Sequence, residues 1–256
     1  MGKFSGTLIC SDFDGTLAHK AVIPQSNIDA IRYFQENGGL FTVISGRSAE
    51  FFDAYADEIR LDRYVGCVNG SVIWDVEKRE IFEEYLIPNP KMLENFILRE
   101  FHLVEGMKDV MIFGKSNFVI ASVDDADFER TFSEGMAQDV HKLILHSNDD
   151  ISEEEAKQIH RSFDSSYSVS LSWPRGIEIQ DIKSNKGVAA KRIAELLGVR
   201  RLVCVGDYEN DLSMLRVADL AYVAKEHHPI LTPFAHRVCA PCEVGTIADV
   251  IKDLER

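Results

Sequence analysis

The stretch Thr7–Lys20, "TLICSDFDGTLAHK", decides how the rest of this chain is read. It opens on an apolar, β-branched run that suits a buried strand. It then places Asp12 and Asp14 two residues apart, with Gly15 and Thr16 directly behind. Two carboxylates crowded at the end of a buried strand repel each other, and the repulsion is relieved if a positive charge sits beside them. Functional groups of a parallel α/β sheet collect just past the carboxyl ends of its strands. The other strand ends therefore decide what the pair is for.

Working outward, short apolar runs alternate with helical patterns, the signature of a parallel sheet with helices on its faces. "SNIDAIRYFQENGG" reads as an amphipathic helix with Ser26 as its cap, Ile28, Ile31 and Phe34 on one face and Gly38 at its end. "LFTVISG" is a second strand, "SAEFFDAYADEI" a second helix and "YVGCVNG" a third strand. After "NGS" the pattern changes: "VIWDVEKREIFEEYLI" reads as a hairpin, and Pro88 and Pro90 punctuate the chain. From there to about Asp181, neighbouring strands and helices predict an antiparallel or mixed sheet, hence a second α+β unit. At "NKGVAAKRIAELLGV" the strand–helix rhythm resumes, with "RLVCVGD", "DLAYVA" and "HRVCAP" as strands. The expected organisation is a core of residues 1–87 and 184–256 interrupted by an inserted domain, 88–183.

Every interior strand of that core ends in polar residues or glycine. The first gives Asp12 and Asp14, the second Ser45-Gly46-Arg47, the third Asn69-Gly70, and the fourth Gly206-Asp207 followed by "YENDLSML". A lone Asp at a strand end is ordinarily a turn or cap residue. Three of them, Asp12, Asp14 and Asp207, on one rim call for a cation, and hard oxygen ligands with room for water suit Mg²⁺.

Composition narrows the partners. The chain has 256 residues and a net charge of −14, with an isoelectric point near 5.0. That balance argues against nucleic acid and anionic membranes as partners, since phosphate backbones demand clustered Lys and Arg. No apolar run approaches a bilayer span, and "MGKFSG" has no signal-peptide core, so a cytoplasmic protein is expected. Cys10, Cys67 and Cys204 lie inside apolar runs, as small buried hydrophobes do. Cys239 and Cys242 form a lone C-x-x-C with no second Cys/His pair to close a zinc site.

Four separated motifs resemble those of the haloacid dehalogenase-like hydrolases: "DFDGTL", "VISG" with Ser45, Lys186 in "SNKG", and "GDYENDLSML". The resemblance runs along the whole chain. It implies an α/β, Rossmann-like parallel-sheet core with an inserted α+β cap of the C2B type, and within the superfamily it is closest to the Cof-type phosphatases. It also implies roles. Asp12 would be the nucleophile that forms an aspartyl-phosphate. Asp14 would be the general acid and base, aided by a neighbouring carboxylate that raises its pKa. Mg²⁺ would be held by Asp12, the Asp14 carbonyl and Asp207, with Asn210 and Asp211 orienting its shell. Ser45, the Gly46 amide and Lys186 would hold the phosphoryl oxygens, and Arg47 and Asn69 would contact phosphate or leaving group.

Each role has a plainer rival. Ser45 can cap a following helix, and Lys186 can be a solvated lysine at a helix start, although a cation there opposes the macrodipole. The expected substrate is a small phosphate ester, such as a sugar phosphate or a phosphorylated cofactor. The nearest alternatives are a sucrose- or trehalose-phosphate type of phosphatase, or a phosphomutase. A response-regulator-like phospho-acceptor is a rival of another class, but it would carry its lone Asp where this chain has Asn69. A non-catalytic binding protein is disfavoured by the intact Asp12 and Asp14.

Overall fold

The computed structural model describes residues 2–100, 106–115, 117–163 and 165–256. The chain begins with β1 (Thr7–Ser11), α1 (Gln25–Glu36), β2 (Leu40–Val43), β3 (Tyr64–Cys67), β4 (Val72–Asp75) and β5 (Glu80–Glu84). The middle holds α2 (Pro90–Glu100), β6 (Met107–Gly114), β7 (Phe118–Ser122), α3 (Phe128–Met136), β8 (Val140–Ser147), α4 (Glu153–Ser162), β9 (Tyr167–Trp173) and β10 (Gly176–Asp181). The last part is α5 (Lys186–Leu197), β11 (Arg201–Gly206), α6 (Leu212–Val217), β12 (Leu220–Val223), β13 (Arg237–Val238) and α7 (Thr246–Leu254). These fall into two compact units, Met1–Glu83 with Asn185–Arg256, and Glu84–Ser184.

In the first unit five strands lie in the order β13-β12-β11-β1-β2, every pair parallel. Their sequence separation makes each link a crossover, which is why the strands alternate with helices. β1 is buried along its whole length, as a strand covered on both faces must be. Leu8 and Cys10 pack with Ala189, Ala190 and Ile193 of α5 and Met214 and Leu215 of α6. β3 extends this sheet through one parallel bridge, Ile44 to Gly66. It also opens an antiparallel meander, β3-β4-β5, which includes the expected hairpin.

Two local expectations need correction. Ser26 does not cap α1: the helix starts after Pro24, with no side-chain cap bond. The Ser26 hydroxyl instead donates to the Val244 carbonyl at 2.7 Å. Residues Ala49–Tyr55 form a 3₁₀ run, not an α-helix. The tighter winding gathers Phe51, Phe52 and Tyr55 around the ring of Phe13, with centroids 4.9–5.6 Å away.

The second unit is built on a wholly antiparallel sheet in the order β7-β6-β8-β10-β9. One face carries buried aliphatics, among them Ile112, Leu143, Ile177 and Ile179. α3 lies so close to this face that a side chain at Gly135 would strike Ile112. On the opposite face one line of paired residues crosses all five strands: Phe118, Phe113, Lys142, Gln180 and Ser168. α4 begins with a capping box between Ser152 and Glu155.

Candidate active site

Asp12 follows β1 directly, and its backbone N–H donates to Val205 of β11 at 2.9 Å. Its side chain is almost wholly buried against Lys186, the first residue of α5. The Lys186 ammonium donates to Asp12 Oδ1 at 2.5 Å and to Asp211 Oδ1 at 2.6 Å. α5 is set in place by its Asn185 cap, whose side chain accepts from the Val188 N–H at 2.9 Å. Gly187 then lets it press against the Ser213 backbone, where any Cβ would collide.

Asp211 closes a 3₁₀ turn, Glu209–Asp211, that follows β11. Its Oδ2 accepts from the N–H groups of Asp207 and Tyr208, at 2.8 and 3.0 Å. Asp207 in turn accepts at Oδ1 from the Thr16 hydroxyl, at 2.7 Å. Gly15 (φ +85°) sits under the Asp207 carboxylate with no room for a side chain, so both space and dihedral require glycine there.

Asp12, Asp207 and Asp211 each offer a ligand oxygen, and these atoms lie within 4.8 Å of one another. Three carboxylates share one ammonium. Burial, opposed by Lys186 and reinforced by Asp211, pushes the Asp12 carboxyl up to about 7. Burial and then the charges of Asp12 and Asp211 push Asp207 well above the usual carboxylate range. For Lys186 burial works downward, but its two carboxylate partners outweigh it and its pKa is raised. Ionised together, the three carboxylates carry more negative charge than one lysine balances, so without a further cation burial and mutual repulsion favour protonation. Among the described residues, the bonds above take Oδ1 of Asp12, Oδ1 of Asp207 and both oxygens of Asp211. The remaining oxygens of Asp12 and Asp207 are hard donors in a crowded anionic setting, a donor set that fits Mg²⁺.

Asp14 is not in this group, although three rim carboxylates including it were expected. Its carboxylate turns to Arg47, which binds it with both arms, Nε to Oδ2 at 2.9 Å and Nη2 to Oδ1 at 3.0 Å. Nearly half of each side chain remains exposed. Arg47 also stacks over Phe51, 4.7 Å from the ring centre. The third acidic member of the cluster is Asp211, expected only as an outer, orienting group; a strand-end pattern cannot show that the turn after β11 folds it back toward Lys186.

Ser45 and Asn69 are joined through backbone, Asn69 N–H donating to the Ser45 carbonyl at 2.8 Å. The Arg47 N–H reaches Ser45 Oγ at 3.3 Å across Gly46. Ser45 caps no helix, since the 3₁₀ run begins after Ser48. Asn69 has left-handed backbone (φ 55°, ψ 32°), and Asn210 Nδ2 lies 3.4 Å from its Oδ1. Lys186 is not the solvated lysine of the plainer alternative. Thr16 was missed as a contributor, although it stands inside the opening motif. Cys239 and Cys242 are free and buried, and burial pushes both thiols up to about 12, so neither offers a reactive thiolate.

A description of the haloacid dehalogenase-like hydrolases matches residues 9–251. The chain belongs to that family. Relatives of this haloacid dehalogenase-like hydrolase include the 5-amino-6-(5-phospho-D-ribitylamino)uracil phosphatase YcsE of Bacillus subtilis, 26% identical over 83% of this chain and 81% of that one. The pyridoxal phosphate phosphatase YbhA of Escherichia coli is 25% identical over 82% and 85% of the two chains. A solved subclass IIB sugar phosphatase shares the fold with a TM-score of 0.80 and 20% identity, over 96% of this chain and 98% of that one. The α/β core with an additional antiparallel unit is therefore the fold of the family, and family and relatives agree on a phosphatase. No helix among the described residues is long and apolar enough to cross a membrane.

Proposed function

We propose that this haloacid dehalogenase-like hydrolase is a Mg²⁺-dependent phosphatase that cleaves small phosphate monoesters through an aspartyl-phosphate on Asp12. The observation that carries the proposal is the buried carboxylate of Asp12, held at a strand end by Lys186 beside the carboxylates of Asp207 and Asp211. In the proposed reaction an Asp12 oxygen bonds to phosphorus as the ester oxygen departs. Asp14 gives that oxygen a proton and later takes one from the water that attacks the phosphoryl-aspartate. Ser45, the Gly46 amide and Lys186 hold the phosphoryl oxygens, and Asn69 and Arg47 line the approach, Arg47 also fixing the position of Asp14. Asp12, the Asp14 carbonyl and Asp207 would hold Mg²⁺, which neutralises charge between nucleophile and phosphate when bound. Asp211 and Asn210 orient these ligands, Asp211 through Lys186 and the backbone of Asp207.

The substrates proposed are sugar phosphates or phosphorylated cofactors, in keeping with the names of the relatives. The inserted unit, with boundaries near residues 84–88 and 183–184, is proposed to set specificity. The buried free cysteines agree with a reducing, cytoplasmic setting. The test is phosphate release from a panel of monoesters by the intact protein, with Mg²⁺ and with a chelator. Turnover that requires Mg²⁺ and disappears in Asp12→Asn supports the proposal. Turnover unaffected by the chelator, or retained in Asp12→Asn, overturns it.

A further inference from the structure

The sheet of the inserted unit ends on one side in β7, and among the described residues no strand lies beyond it. Edge strands are ordinarily blunted by charged residues, prolines or bulges, because a bare edge pairs with other chains. The five residues of β7, Phe118–Ser122, include no charge and no proline. They pair with β6 in unbroken register, with no bulge to twist the edge away. Phe118 and Ile120 add apolar side chains that are 53% and 50% exposed.

The ladder decides which backbone groups face outward. Gly114 N–H donates to the Asn117 carbonyl and Val123 N–H to the Lys108 carbonyl, so the odd-numbered residues of this stretch bond to β6. Successive residues of a strand point their N–H and C=O groups to opposite sides. Those of Phe118, Ile120 and Ser122 therefore point away from the sheet, the Ser122 carbonyl also accepting from the Asp125 N–H at 3.2 Å. The charges flanking the strand differ in sign. Lys115 precedes it, Asp124 and Asp125 follow it, and all three are exposed. Lys115 holds Glu84, and an ammonium has further protons to donate.

We infer that β7 pairs antiparallel with β7 of a second copy of this chain, in a two-fold dimer centred on Ile120. In that register the two Ile120 residues exchange a pair of N–H to C=O bonds. Each Ser122 N–H gives one more to the Phe118 carbonyl of the other copy. Only outward groups are used, so neither copy gives up a bond to β6. The half-exposed Ile120 side chains meet each other across the axis, a cross-strand contact that covers apolar surface on both copies. Each copy's Lys115 is set toward Asp124 and Asp125 of the other, whereas a parallel pairing would bring like charges together. Every contact is made twice, as two-fold symmetry requires. A joint of five residues buries less than the roughly 1,200–2,000 Å² of a standard interface, so the dimer is reversible, with a dissociation constant on the order of 1–100 µM. The dimer is independent of the reaction proposed for the core unit.

The test is sedimentation velocity of the intact protein from about 1 to 300 µM, a span that brackets that constant. The mean mass should climb from one chain of 28.9 kDa toward two. Ile120→Lys and Ile120→Glu each place like charges opposite one another at the axis, and each alone should weaken the dimer roughly tenfold or more. Mixed in equal amounts, the two variants place opposite charges there and should associate more tightly than either does alone. Val244→Lys, at an exposed apolar position of the core unit, should leave the constant within about twofold of the wild type. Circular dichroism and melting check the fold of each variant. A wild type that remains a single chain throughout the range overturns the inference. So does a dimer unchanged by Ile120→Lys, or a loss that mixing two well-folded variants does not restore. If either Ile120 variant failed to fold, Asp124→Lys/Asp125→Lys would decide: a dimer weakened roughly tenfold supports the pairing, and an unchanged one overturns it.

Discussion

Among the described residues two lysines are almost completely buried, and their surroundings are opposite. Lys142 in the inserted unit meets one carboxylate, so its pair is balanced. Lys186 in the core unit meets two, Asp12 and Asp211, with Asp207 a third close by, so its carboxylates outnumber it. Lys142 stands within a strand, on a sheet face; Lys186 opens a helix beside strand ends, where the fold gathers chemistry. The difference separates a buried charge matched one to one from a cluster of carboxylates that outnumbers its lysine. A balanced pair can be removed whole at little cost to the fold, whereas an unbalanced cluster is poised to receive a cation.

The largest expected effect is on the reacting side. Asp12→Asn should lower phosphate release by roughly 10⁴-fold or more, because the amide is a poor nucleophile. Without metal at pH 8 it should melt no lower than the wild type, since one surplus charge is gone. A lower melting temperature would show that Asp12 is needed for the fold, and the contrast with Lys142 would weaken.

Lys186→Met comes next. It leaves Asp12 and Asp211 buried without their cation, and should cost about 3–5 kcal/mol by urea unfolding near neutral pH. The loss should shrink at pH 5, where the Asp12 carboxyl is protonated. The double variant Lys142→Met/Glu178→Gln should change stability by less than about 1 kcal/mol in the same assay. If the two variants cost the same, the comparison between the lysines is broken.

A third effect follows from the raised Asp12 pKa. A carboxyl raised from its ordinary value to about 7 binds more protons in the folded than in the unfolded state across that window. Its contribution to stability is therefore greatest in acid and is lost as pH rises toward and through 7. Protons and Mg²⁺ compete for the same oxygens. The rise in melting temperature on adding Mg²⁺ should be larger at pH 8 than at pH 5, measured by thermal shift. An equal rise at both would place the metal elsewhere. The smallest effect is expected from Ser26→Ala, which loses one partly exposed hydrogen bond to Val244 and should cost no more than about 1 kcal/mol, with helix content unchanged by circular dichroism.

Much of this arrangement was legible in the sequence. The rhythm of apolar runs gave a parallel-sheet core, though not its strand order, because strand and helix periods are local. It gave the inserted α+β unit for the same reason, and the motif residues gave the strand ends. What was not legible depends on contacts between distant segments. The Ser26 hydroxyl finds Val244, more than two hundred residues away. The 3₁₀ winding at Ala49–Tyr55 is set by rings packing around Phe13. Asp14 is drawn to Arg47 and Asp211 to Lys186 by side-chain geometry that no spacing encodes. The pairing of Lys142 with Glu178 needs the register between β8 and β10, which periodicity alone leaves open.

The most direct test of the central claim is to look for the covalent intermediate. The protein is mixed with Mg²⁺ and its best phosphate ester, quenched in acid during turnover, digested, and analysed by peptide mass. The peptide containing Asp12 should carry one phosphoryl group, which is absent from the Asp12→Asn variant and lost when the peptide is brought to alkaline pH. Continued phosphate release with no phosphoryl group on Asp12, or with the group on another residue, would contradict the account.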